Sequence, residues 1–332
     1  MIRLSNLQTL KEGKNLLAFS AGVDSSALFF LLLDNGISFD IAIVDYALRE
    51  ESKEEVEYAK VLADRYDLQL YIIEAPRWES NFESKAREFR YRFFGSLIDS
   101  YGYTNLLTAH QLNDQLEWFL MRLTKGAGVG ELLGLHPSTK RETSKDTPYT
   151  LLRPLLDYTK DELLEYLHHH NHHYFVDSSN SKEIYERNLF RAKWSDPLIA
   201  KYSKGIARSF GYLREERELL EEGIESIFSQ KELRVLSLKN PNLKARASAI
   251  ALKELGYLLS ASQRAEIQKS NSVVVGGKWA IVYQDKRLYI SPSLSTPMPK
   301  KYKELCRVSS MPIKIRAYCY ESGIEPIRVM KI

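Results

Sequence analysis

Along the first half of the chain the apolar positions switch repeatedly between two periods. Short apolar runs at 15–20, 39–46, 68–75 and 105–110 predict strands. Between them, 24–34, 51–66 and 82–101 carry apolar residues at three- and four-residue steps, the spacing of one helical face. Strand and helix in alternation predict βα units in a doubly wound parallel sheet, whose ligands gather beyond the carboxyl ends of the strands.

The second half breaks that rhythm. Residues 136–148 are polar and proline-flanked, and predict a surface loop or insertion. In LLRPLLDYTKDELLEYL, Thr159 or Asp161 can cap a helix running toward His168. A charge-rich stretch at 204–230 predicts a helical connector, and 241–256 and 262–269 predict short helices. NSVVVGGKWAIVYQDKRLYI predicts three strands joined by a Gly-Gly turn and a second tight turn, and the terminal IKIRAYCYESGIEPIRVMKI predicts paired strands around Ser322-Gly323. The expected organisation is an α/β domain over 1–200, a helical connector over 201–230, and a small basic α+β domain over 231–332.

Composition narrows the partners. The longest apolar run, 27–33, is too short to span a bilayer, and the start lacks a signal-peptide pattern, so a cytoplasmic protein without a membrane partner is expected. Cys306 and Cys319 are distant from every candidate motif and read as two reduced thiols. Charge is unevenly divided: residues 1–180 hold 19 Lys+Arg against 27 Asp+Glu, a net −8, whereas 181–332 hold 28 against 16, a net +12. A basic half can hold a polyanion such as RNA, or can be merely a solvated surface.

The chemistry starts at NLLAFSAGVDSS. Ser20, Ala21, Gly22, Val23, Asp24, Ser25 and Ser26 lie between a strand and a helix start. There, backbone N–H groups, serine hydroxyls and the helix N-terminus can receive phosphate oxygens. No G-x-x-x-x-G-K pattern accompanies them, which excludes a lysine-bearing P-loop. SAGVDS resembles the SGGxDS signature of the PP-loop ATP pyrophosphatases, with Ala21 at a glycine position. VDYALREES, AREFRYRFF, HQLNDQLEWFLMRLTKGAGVG, LLRPLL and VDSSNSKEIYERNLFR then resemble, in order, the segments of the tRNA(Ile)-lysidine synthetase family. The resemblance covers 15 to about 195. It departs from the family pattern at Tyr46, Ala47, Asn113, Trp118 and Lys125.

The resemblance implies an adenine nucleotide alpha hydrolase-like fold and a ligase. Such a ligase adenylates carbon-2's oxygen on the wobble cytidine of a CAU anticodon, and the side-chain amine of L-lysine then displaces AMP. ATP is expected on Ser20 to Ser26, with Mg²⁺ held by Asp24. Asp24, Asp45 and His110 are the candidate catalytic groups, though Asp45 can equally cap a loop and His110 can be a nucleotide contact or a structural imidazole. Arg90, Asp114 and Glu117 are expected to hold the lysine, the two acids sharing a helix face. Arg122, Lys125, Arg153, Arg187 and Arg191 are expected at the tRNA, although each arginine alone reads as a surface ion pair. The base that deprotonates lysine, and whether the enzyme is a homodimer, stay open.

The cluster HHHNHH at 168–173 does not converge as metal ligands would, and reads as structural. A PP-loop tRNA thiolase is a second reading, opposed by the absence of cysteines near the loop. A non-catalytic nucleotide- or RNA-binding module is a third, and it leaves the acid pair and Arg90 without purpose.

Overall fold

The computed structural model describes residues 2–46, 51–78, 80–176, 186–326 and Val329. Strand β1 (Asn15–Phe19) lies at the centre of a six-stranded sheet, preceded by the short helix α1 (Leu7–Glu12) and followed by α2 (Val23–Asp34). Next come β2 (Phe39–Asp45), α3 (Glu51–Tyr66), β3 (Leu70–Glu74), α4 (Phe82–Tyr101) and β4 (Asn105–Leu107). They are followed by α5 (Leu112–Leu123), α6 (Val129–Leu132), β5 (Ser138–Glu142), β6 (Pro148–Leu152), α7 (Lys160–His169) and α8 (Glu186–Phe190). A π-helical turn, Arg191–Ser195, then opens into α9 (Asp196–Glu221).

The strand order is β3-β2-β1-β4-β6-β5. All neighbours are parallel except β5, which pairs antiparallel with β6. Side chains alternate across β1. Leu17 and Phe19 join a core with Phe29 of α2, Leu62 of α3 and Leu163 of α7, while Leu16 joins Phe94, Leu97 and Ile98 of α4. The order reverses between β1 and β4, so the crevice for a ligand opens beyond their carboxyl ends, where Ser20 and His110 follow.

At the opposite end, buried amides bolt the sheet together. Asn15 Nδ2 donates to Leu10 O and Ser38 O, and Asn105 Nδ2 donates to Asn15 Oδ1 and Thr9 O. A Cβ on Gly13 would lie 2.0 Å from Asn105 Nδ2, so the turn before β1 admits only glycine. The expected helix start at Thr159 is found as a capping box, in which Thr159 Oγ1 accepts from Glu162 N at 3.1 Å.

Three sequence expectations are corrected. Residues 136–148 are not a loop, because β5 occupies 138–142. It is an edge strand with charged residues and little burial, which is why its composition reads as turn. The helix expected over 204–230 stops in α9 at Glu221; Gly223 takes φ 91°, and β7 (Ile224–Gln230) follows. The first of the terminal paired strands is instead a helix, introduced below, and most of the second lies outside the described residues.

The chain divides into two compact units, Met1–Leu213 and Arg214–Ile332. In the second, β7 is followed by β8 (Leu233–Leu238), α10 (Lys244–Glu254), α11 (Ala261–Lys269), β9 (Ser272–Val275), β10 (Trp279–Gln284), β11 (Arg287–Pro292), α12 (Lys300–Val308) and α13 (Ile313–Ser322). Its antiparallel sheet has the order β7-β8-β11-β10-β9. One face packs Leu236, Ile281 and Ile290 against α10 and α11, and the other packs Val235, Val282 and Tyr289 against α12 and α13. Cys306 and Cys319 are free thiols buried in that second face. Among the described residues no helix is long and apolar enough to cross a membrane.

Candidate active site

The loop between β1 and α2 is held by its own hydroxyls. Ser20 Oγ and Ser25 Oγ lie 3.1 Å apart, Ser20 N donates to Ser25 Oγ, and Ser25 Oγ donates to Gly22 O. Ser26 is fully buried and its Oγ donates to Ala21 O, so this hydroxyl shapes the loop and is not offered to a ligand. Gly22 stands at the N-cap of α2 without a side chain, which leaves the first N–H groups of a twelve-residue helix to an anion. Ala21 takes φ 56°, a left-handed conformation that costs an L-residue about 1–2 kcal/mol. The loop is clipped from outside, because Phe175 N donates to Ala21 O at 2.9 Å. The sequence gives no sign of this contact, since the partner is a backbone group about 150 residues away.

Beyond β4, α5 presents the acid pair. Asp114 completes a capping box by accepting from Gln111 N, and Glu117 lies one turn on, almost fully buried. Both are held by the two arginines that follow the residues outside the described structure. Arg191 Nε donates to Glu117 Oε2 at 2.8 Å, and Arg191 reaches Asp114 Oδ1 at 3.0 Å. Arg187 Nε donates to Glu117 Oε1 and its guanidinium lies 3.5 Å from Asp114 Oδ1. Burial pushes the Glu117 carboxyl above its usual range, and the guanidiniums oppose that push. Residues expected to serve two different substrates therefore form one ion network.

Asn113 shows why this chain departs from the aspartate of the resembling pattern. Its Nδ2 donates to Asp196 Oδ1 at 2.8 Å, its Oδ1 accepts from Lys160 N, and its carbonyl accepts from Ser195 Oγ. An amide thus joins the starts of α5, α7 and α9, and an aspartate there would face Asp196 with like charge. Trp118 has its own local reason: its Nε1 donates to Glu131 O, and its ring fills space that a Cβ on Gly134 would enter at 2.1 Å.

Asp24 links the two parts of the crevice. Burial first, and then the charge of Asp114, raise its carboxyl to about 7, opposed by Lys160 and Arg191. Its Oδ1 is buried without a hydrogen-bond partner. An orphaned carboxylate oxygen at this strand-to-helix loop fits a hard divalent cation that takes its remaining ligands from phosphates and water. Among the described residues no group of three His, Cys, Asp or Glu side chains could hold a metal by itself. His110 Nδ1 is hydrogen-bonded to Thr108 Oγ1 at 3.0 Å. Burial lowers its pKa to about 4, with Asp114 opposing and Arg153, Arg87 and Arg187 reinforcing, so the ring is neutral at physiological pH.

The remaining predicted residues separate. Asp45 ends β2, and its carbonyl accepts from Ala75 N. Arg90 is exposed on α4 and acts electrostatically on Tyr46, which packs edge-on against Phe82; no ion pair joins Arg90 to Asp114 or Glu117 among the described residues. Arg122 lies 5.9 Å from the Trp118 ring, and Lys125 is exposed in the loop before α6. Arg153 is 2% exposed, and its guanidinium donates to His136 O at 2.7 Å. Ala47 and the Asp177 to Tyr185 part of the resembling segments lie outside the described residues. The 168–173 imidazoles are used in packing, with His172 stacked 3.5 Å from Phe30 and His168 Nε2 bonded to Tyr174 OH.

Residues 2–197 match the family model of the PP-loop domain. The chain is 43% identical over 322 residues to a tRNA(Ile)-lysidine synthase of Campylobacter jejuni subsp. jejuni, covering 96% of each chain. It is 42% identical over 328 residues to that of Wolinella succinogenes, covering 98% of this chain and 99% of the relative. A solved U34-tRNA thiolase from Methanococcus maripaludis superposes with a TM-score of 0.49 at 19% identity, covering 65% of this chain and 77% of that one.

Proposed function

Because the chain belongs to the tRNA(Ile)-lysidine synthase family of PP-loop proteins, we propose that it joins L-lysine to carbon-2 of the wobble cytidine in the CAU anticodon of a tRNA(Ile), consuming ATP. The observation that carries the reading is that Asp24, at the start of α2, lies within electrostatic range of Asp114, which Arg191 ties to Glu117. Nucleotide and amine subsites share one crevice, as two consecutive displacements on one base require.

In the first displacement the cytidine O2 attacks the α-phosphorus of ATP and pyrophosphate leaves. The loop from Ser20 to Ser25 receives the phosphates through backbone N–H groups and the Ser20 hydroxyl. Mg²⁺, held by Asp24, would supply charge neutralisation for the departing pyrophosphate. In the second, the lysine side-chain nitrogen bonds to carbon-2, the carbon–oxygen bond to AMP breaks, and the amine proton is released. Asp114 and Glu117 receive the substrate's amino groups, exchanging part of their bonding to Arg187 and Arg191, while Arg90, exposed and without an ion pair among the described residues, is available to the carboxylate. Neutral His110, with Nδ1 held by Thr108, leaves Nε2 for the reacting base.

The test is incubation with ATP, Mg²⁺, labelled L-lysine and a tRNA carrying the CAU anticodon. Label should enter the RNA with equal yields of AMP and pyrophosphate, and a tRNA with the wobble cytidine changed should accept none. Label entering both RNAs equally, or neither, would overturn the reading.

A further inference from the structure

At the sheet edge, Arg87 and Arg141 share one aromatic ring. The Arg87 guanidinium of α4 lies 5.0 Å from the centre of the Tyr91 ring, and that of Arg141 on β5 lies 5.2 Å from the same ring. Arg141 is directly opposite Tyr149 in the β5–β6 pair. Arg153, just after β6, is 2% exposed and keeps a buried Nε without a hydrogen-bond partner. The charges of Arg141 and Arg87 both bear on Arg153, and among the described residues none of the three has a carboxylate partner. Like charges gathered in this way are a cost to the free protein unless something negative joins them.

The cluster adjoins the crevice, because Leu152, which directly precedes Arg153, accepts from Thr108 N, and Thr108 Oγ1 holds His110. Arg87 is exposed and Arg141 half-buried, whereas Arg153 is buried. Two guanidiniums steadied on one aromatic ring, with a buried third arginine whose charge bears on both, suit a phosphate, which accepts several N–H donors.

We propose that Arg87, Arg141 and the buried Arg153 form a phosphodiester-binding site at the mouth of the crevice, which seats the RNA backbone beside the nucleotide that enters it. The proposal rests on the RNA-modifying reading above. It also gives the buried Arg153 a role, as a charge that raises the local potential without touching the RNA. Such a contact positions the strand and carries no base information.

The test compares full-length Arg87→Gln, Arg141→Gln and Arg92→Gln proteins. Arg92 is exposed on the same helix and paired with Glu88, so it controls for loss of a surface charge alone. The measurements are tRNA dissociation constants across a salt series, KM for ATP and lysine, and melting temperature. Arg87→Gln and Arg141→Gln should each weaken binding roughly five- to tenfold, equally for tRNAs of different anticodon, and lower the salt slope by about one. Both KM values should hold, and the melting temperature should stay level or rise as repulsion is relieved. Binding no weaker than that of Arg92→Gln would overturn the site, as would a raised lysine KM with tRNA affinity intact, which would make the anion the amino acid's carboxylate. Wild-type protein that bound no tRNA and incorporated no lysine would overturn the RNA-modifying reading itself, a result separable from failure of this site.

Discussion

Asp24 carries a conflict between stability and chemistry. Its carboxyl is raised from 3.8 to about 7 by burial and by Asp114, so the folded state holds the proton more tightly than the unfolded chain. The stability it contributes is complete below about pH 4 and is lost as pH rises through 7. At pH 8 the ligand-free protein therefore carries an uncompensated carboxylate, and Asp24→Asn should raise its stability by about 1–2 kcal/mol. That corresponds to roughly 2–6 °C in melting temperature, while AMP formation should fall at least about a hundredfold. His110 titrates with the opposite sign: its lowered pKa makes its contribution full above 6.5 and lost as pH falls through 4. The informative quantity is thus the difference between wild type and Asp24→Asn, which should vanish at pH 4. A difference independent of pH would show that the Asp24 carboxyl is not burdened by burial. At this scale the strand-to-helix loop at 20–26 was legible because its residues are consecutive, and the shared face of Asp114 and Glu117 because three-residue spacing places both on one side of α5. The grip of Arg187 and Arg191 on those acids was not, since 70 and 77 residues of chain separate the partners.

Between elements, Asn113 is the joint that fixes the acid pair. It stands at the start of α5 and binds the start of α7 through Lys160 N and the start of α9 through Asp196. Asn113→Asp should restore the residue of the resembling pattern and yet cost about 1–3 kcal/mol, because the new carboxylate meets Asp196 where an amide donated. The double variant Asn113→Asp, Asp196→Asn should recover most of that loss in a thermal unfolding cycle. Recovery of nothing would mean that the two side chains do not interact. The elements misread from sequence share a physical cause. IKIRAYCYES alternates like a strand, but Ile315, Tyr318 and Cys319 also satisfy a helical face, and Pro312 before and Gly323 after (φ 69°) bracket a helix. In β5 the charges belong to an edge that keeps neighbours from pairing, and in β7 the partner strand β8, not the local pattern, decides the conformation.

Across the molecule, the division of charge follows the two units less sharply than it follows position 180. Met1–Leu213 holds 26 Lys+Arg against 30 Asp+Glu, a net −4, and Arg214–Ile332 holds 21 against 13, a net +8. The catalytic unit is therefore only mildly acidic, because the stretch with Arg187, Arg191, Lys193, Lys201, Lys204 and Arg208 belongs to it. Cations are supplied by both units, which is the distribution expected if one polyanion touches each. Transfer of tRNA onto the protein should then release many counterions. Raising salt from 50 to 200 mM should weaken binding by about 10³-fold or more if six or more phosphates are contacted, with log K linear in log salt. Pyrophosphate exchange driven by ATP, whose proposed seat is the loop N–H groups, should respond far less over the same range. A shallow slope, equivalent to one or two phosphates, would mean that the surplus of Arg214–Ile332 is solvated and that the catalytic unit holds the RNA alone. A steep slope that Arg87→Gln and Arg141→Gln each reduce by about one would apportion the contacts between the crevice mouth and the rest of the chain.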